Sequence, residues 1–219
     1  MTILLREAEE AARRTVQGSV PDFPQVAAWR DAYRRFGAKP ADHRSSIEAL
    51  LRRVIKPDDL PTINNLVDIG NLVSLRHLLP AGVHPLGSGN TTIKLRTARS
   101  GDVFVASEGG AGESVPEGEI ILASGTNILT RRWTWRQSAA TRILPETGCV
   151  LFNIDGLLPI SHVEVRAAMR DVADLVGQFC GGILVASEVL TADNPQLSVN
   201  LDDLSTRSST DRSPDGAFM

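Results

Sequence analysis

The sequence predicts an α+β fold, with helices gathered ahead of strands. Two observations carry that prediction. Apolar residues recur at spacings of three and four through the first third of the 219 residues, and after Pro80 the period changes to strand-like alternation. Helices first, then strands, then one more helix and strand argue against a regular βαβ array. With 42% hydrophobic and 22% charged residues, the chain can bury a core that needs no disulfide or metal staple.

Met1–Gly18 carries Arg6, Glu7, Glu9, Glu10, Arg13 and Arg14 and reads as an amphipathic helix, not a signal peptide. Val26, Trp29, Tyr33 and Phe36 form one apolar stripe that Gly37 ends. Ser45-x-x-Glu48 is a capping box ahead of Ile47, Leu50, Leu51 and Val54. Pro57 and Pro61 punctuate the chain, and the next helix runs from about Thr62 to His77. Ile93 and Leu95 alternate with Lys94 and Arg96 as a half-buried strand. Val103 and Val105, Ile120 to Ala123 and Asn127 to Arg131 follow as short strands, and Cys149 to Ile154 suits a strand buried on both faces. Ser161-x-x-Glu164 opens a helix that Gly181-Gly182 breaks, and Ile183 to Leu190 reads as a last strand. We expect a helical extension over 1–22, one domain over 23–190, and a tail over 191–219 that is at least partly mobile.

The helix after Pro61 is apolar nearly all round, apart from a narrow stripe of Asn64, Asp68 and Asn71. Such a stripe must find hydrogen-bond partners, because an unsatisfied buried polar group costs roughly 1–3 kcal/mol. It either ties the helix to a neighbouring loop or lines a small-molecule pocket. Gly70 beside Asn71 leaves room for another backbone or a ligand. His84 precedes Pro85, which holds it extended on the following loop. It is either a surface residue or a group that orients a ligand or a water.

Arg131-Arg132-Trp133-Thr134-Trp135-Arg136 is the second distinctive run. As a continuing strand it would put Trp133 and Trp135 on one face. The tryptophans either anchor the core or, with Arg131, Arg132 and Arg136, clamp RNA. A net charge of −3 means that any RNA contact must come from such a local patch.

Cys149 and Cys180 are single and far apart, so neither a zinc site nor a disulfide framework is expected. We read a cytoplasmic setting with no metal and no cofactor. No apolar run approaches the ~18–20 residues of a membrane span. There is no Walker loop, no dinucleotide fingerprint at Gly109-Gly110-Ala111-Gly112, and Gly87-Ser88-Gly89 is no nucleophile elbow.

Taken in order, Arg53-Val54, Leu60 to Asn71, the loop at Gly82, Leu95-Arg96, Gly118-Glu119, Arg132 to Ser138, Thr141 and Thr147 resemble the free-standing B3/B4 domain proteins. The Ile63-Asn64-Asn65-Leu66-Val67-Asp68-Ile69-Gly70-Asn71 run is also similar to the B3/B4 editing domain of the phenylalanyl-tRNA synthetase beta chain. The likeness covers roughly Phe23 to Leu190.

The resemblance implies a mixed β-sheet core with N-terminal and flanking helices. It also implies trans-editing of mischarged aminoacyl-tRNA by hydrolysis of the aminoacyl ester with a positioned water. The alternatives are a non-catalytic module that binds tRNA or an amino acid, and a small-molecule enzyme of specialised metabolism that reuses the pocket. Carried over by position, the family's pocket points to Asn71 and His84 as catalytic residues. Asn64, Asp68, Gly70, Ser124, Gly125 and Thr126 would bind substrate. The partners implied are aminoacyl-tRNA or a free amino acid, with the oligomeric state left open. The chain departs from the family at His84-Pro85-Leu86, where an acidic residue is usual, and the synthetase pocket's glutamate has no matching position.

Overall fold

The computed structural model describes residues 1–56, 59–87 and 92–200. Pro57, Ser88, Gly89 and the tail from 201 lie outside the described residues.

Five helices build one side of the molecule. They are α1 (Thr2–Thr15), α2 (Pro24–Arg35), α3 (Ser46–Val54), α4 (Asn65–His77) and α5 (His162–Cys180). Leu5, Ala8 and Ala12 of α1, Trp29 and Tyr33 of α2, Ile47 and Leu51 of α3, Ile69, Leu72 and Val73 of α4, and Ala168 and Val172 of α5 share one buried cluster. The α1 helix therefore packs into the same core as α4. Glu9 is fully buried there and accepts the Leu60 amide at 3.1 Å, fixing the chain that leads into α4.

The strands form two sheets. β1 (Ala81–Pro85) pairs antiparallel with β8 (Val150–Ile154), with Gly82 opposite Asn153 and Val83 opposite Phe152. The larger sheet holds β2 (Ile93–Thr97), β3 (Val103–Val105), β4 (Gly112–Ser114), β5 (Ile120–Ser124), β6 (Asn127–Arg131) and β7 (Arg136–Gln137). Its order is β2-β5-β6-β3-β4, and β7 pairs with β6 beyond Thr130. β3 runs parallel to β6 and the remaining pairs are antiparallel, so the sheet is mixed and the fold is α+β. Phe104, Ile121, Ala123 and Ile128 make its separate small core.

Three expectations change. Residues 183–190 form no strand; Glu188 pairs with Arg166 at 3.3 Å, which lays this segment back along α5. β8 is half-buried throughout, not buried on both faces, because β1 is its sole paired neighbour among the described residues. The strand through Arg131 stops there: Arg132 and Trp133 take positive φ of 45° and 64°, and residues 132–135 turn the chain back into β7. Bulky residues rarely adopt that conformation, and contacts on both sides of this turn hold it.

Candidate functional site: a polar row on α4 and the strands beside it

The polar row on α4 is spent one residue at a time. Asn64 is the N-cap, accepting the Val67 amide at 3.0 Å. Asp68 is buried and accepts the Ile63 amide at 3.0 Å, which ties the helix to the loop before it. Ser74, buried on the same side, accepts the Ala81 amide at 3.1 Å and so anchors β1. Asn71 lies three residues from both Asp68 and Ser74, hence between them on the helix surface. It is half-buried, and its amide makes no hydrogen bond to another described residue. Gly70 is buried, and the nearest side-chain atom to the space beside it is Phe152 Cε1, 4.0 Å away. The row thus serves as a structural tie at Asn64 and Asp68 and leaves a free amide at Asn71.

His84 is not on an exposed loop. It sits within β1, 1% exposed, with Nε2 3.4 Å from Thr130 Oγ1 and Nδ1 3.3 Å from Gln137 Nε2. Gln137 has two amide hydrogens, and its shorter bonds go to the Val83 and Thr141 carbonyls at 2.9 and 2.8 Å. Its approach to His84 is therefore a contact more than a dedicated bond. Burial pulls the imidazole down to about 4, against a weaker opposing pull from Asn153. The ring is neutral near pH 7 and closes the seam between the two sheets.

Beside it, Asn153 lies across the strand from Gly82, where an added Cβ would sit 2.6 Å from Asn153 Oδ1. Asn153 Nδ2 donates to Asp155 Oδ2 at 2.8 Å, while its own buried Oδ1 has no partner at hydrogen-bond geometry, the weak pull on His84 aside. Asp155 also accepts from Trp133 Nε1 at 3.0 Å. Burial pushes the Asp155 carboxyl above the usual carboxylate value, opposed by these two hydrogen bonds. Asn153 and Asp155 were absent from the sequence-based candidates. Two polar residues at alternate positions of an otherwise apolar strand share one face, and that spacing was the signal available.

The Trp–Arg run is a tight hairpin end. Trp133 packs edge-on against Trp29, ring centroids 5.1 Å apart. Thr134 Oγ1 meets the Tyr33 hydroxyl at 3.0 Å, and burial pushes the Tyr33 phenol up. Trp135 lies against His43, with the Arg131 and Arg132 guanidiniums 5.3 and 4.9 Å from its ring. Arg131 is bidentate to Glu119 at 2.8 Å, Arg132 joins the same carboxylate at 3.3 Å, and Arg136 donates to the Ala106 carbonyl at 3.0 Å. These cations are engaged within the protein.

Ser124 ends β5, Gly125 and Thr126 turn the chain into β6, and Gly125 has a φ of 57°. The Gly125 carbonyl accepts from Arg96 at 2.8 Å and the Thr126 carbonyl from Val103 at 2.9 Å. Thr126 is four residues from Thr130, about 13 Å of strand, so this turn lies away from His84 and is not brought to Asn71 by any bond in the structure. Two surface hollows, of about 200 and 590 Å³, lie by α3, and neither touches Asn71.

Among the described residues no group of three His, Cys, Asp or Glu side chains is placed to hold a metal ion, and no helix is long and apolar enough to cross a membrane. A family model described as the B3/4 domain matches residues 28–181, from α2 to the end of α5. No curated protein and no solved structure matches the chain.

Proposed function

Because the chain belongs to the B3/4 domain family over most of its length, we propose that it hydrolyses the ester joining a wrong amino acid to a tRNA, acting in trans. The observation that carries this reading is the Asn71 amide, left free on a helix row whose neighbours are all consumed. Gly70 beside it is buried, with Phe152 Cε1 4.0 Å from the space a side chain would take, so a substrate group approaches Asn71 from its solvent side.

In the proposed step a water oxygen attacks the aminoacyl carbonyl carbon. The bond from that carbon to the ribose oxygen breaks, the water's proton ends on the ribose oxygen, and the free amino acid leaves. Asn71 Nδ2 donates to the carbonyl oxygen as negative charge develops there. His84, buried and neutral, is a positioning residue that holds β1 against Thr130 and Gln137. The Ser124–Thr126 turn lies apart and takes no part in this step.

A second reading is a module that binds aminoacyl-tRNA without turnover. The burial of His84 favours it, since an imidazole 1% exposed is closed off from a substrate. A deacylation assay of the full chain across a panel of mischarged tRNAs separates the two. Release of the amino acid above the spontaneous rate supports hydrolysis; binding with no release supports the module.

A further inference from the structure

The surface at the end of α3 is concave and cationic. The hollow of about 590 Å³ there has Val20, Ala49 and Ile55 in its lining, with Arg44, Arg52, Arg53 and Lys56 around them. Arg52 is held by Glu48 at 3.0 Å. Arg44, Arg53 and Lys56 are exposed and make no ion pair with any described residue. The adjoining hollow of about 200 Å³ shares Arg53 and Lys56 and adds Asp59. That carboxylate already faces Arg6 and Arg13 at 3.6 and 3.7 Å. Three cations with no ion-pair partner among the described residues therefore converge on one concave surface of a chain whose net charge is −3.

We infer that this groove holds the phosphate backbone of RNA. The inference rests in part on the proposed tRNA substrate, for which the protein must supply a local positive surface. At the Trp–Arg hairpin Glu119 and the Trp135 ring hold Arg131 and Arg132 half-buried, so of the three cations there only Arg136 stands exposed. Phosphates meet Arg44, Arg53 and Lys56 at the rim. With no aromatic ring among the described lining residues, base stacking is not the mode, so binding is insensitive to sequence and strongly dependent on salt.

The test is titration of fluorescently labelled, uncharged tRNA into the full chain at several salt concentrations. One variant carries Arg44→Gln, Arg53→Gln and Lys56→Gln. A charge-matched control carries Lys94→Gln, Arg99→Gln and Arg170→Gln, which are exposed cations remote from the groove lining. The groove variant should bind about 10- to 100-fold more weakly, with the log–log salt slope shallower by about 2 to 3. The control should stay within about twofold of the parent chain. Equal loss in both variants, or none in the groove variant, overturns the assignment, and the hydrolysis reading survives if mischarged tRNA is still cleared. Loss of binding to an acidic peptide such as poly-glutamate, with no tRNA binding by the parent chain, also overturns it in favour of a protein partner. Groove-dependent binding of mischarged tRNA with no deacylation supports the groove and sinks hydrolysis.

Discussion

The Trp133 indole donates its Nε1 hydrogen to Asp155 Oδ1 at 3.0 Å, and so fastens the β6–β7 turn to the end of β8. The same indole packs on Trp29 of α2, which joins the larger sheet, the small sheet and the helices at one point. Trp133→Phe keeps the ring packing and removes the donor. It should cost about 1–3 kcal/mol, the penalty for leaving a buried acceptor short of a partner, read from urea denaturation.

Asp155 gives stability a definite sign with pH. Its folded carboxyl titrates above the ordinary value of 3.8, so the folded state holds more protons than the unfolded one above that pH. Its contribution is fully present below the ordinary value and is lost as pH rises through the folded one. Asp155→Asn keeps the acceptor for Trp133, and a flipped Asn153 can then accept the new amide hydrogens at its orphan Oδ1. Relative to the parent chain, this variant should gain stability as pH rises above the ordinary value of 3.8 toward 7 and level off once the folded carboxyl has ionised. A constant difference across that range would contradict the burial of the carboxylate.

His84 has the opposite sign. Its folded value of about 4 lies below the ordinary 6.5, so its contribution is intact above pH 6.5 and falls away as pH drops toward 4. The full loss is up to roughly 3 kcal/mol. The direct check is the imidazole C–H shift of His84 by NMR, which should stay unchanged between pH 8 and 5.5. Titration near 6.5 would place the ring in solvent.

Gly82 is fixed by the side chain opposite. Gly82→Ala puts a methyl 2.6 Å from Asn153 Oδ1, and Asn153 cannot swing away without breaking its bond to Asp155. The expected cost is about 1–3 kcal/mol of overpacking. Adding Asn153→Ala should recover part of it, so the pair should be non-additive in a double-mutant cycle.

Local chemistry was legible in the sequence, and long-range pairing was not. Ser161 and Glu164 form the full reciprocal cap expected at α5. Ser45 caps α3, but the Glu48 carboxylate has left its half of the box for Arg30 and Arg52. The burial of Asp68 and its bond to Ile63 follow from a polar stripe on an apolar helix. The engagement of Arg131 and Arg132 does not, because Glu119 reaches them only across the β5–β6 pairing. Residues 183–190 have the composition of a strand, yet no sheet edge meets them in the structure, and β-propensity expresses a fit to neighbours more than a backbone preference. The Asn153–Asp155 spacing was visible at the end of β8, but the Trp133 indole that bonds Asp155 reaches it only through the fold.

The most direct test compares the full chain with Asn71→Ala on a mischarged tRNA, measuring deacylation and tRNA affinity together. Loss of a donor to the developing oxyanion should lower kcat/KM about 100-fold while the Kd for uncharged tRNA stays the same. Deacylation by Asn71→Ala at the parent rate would contradict the role given to the free amide on α4.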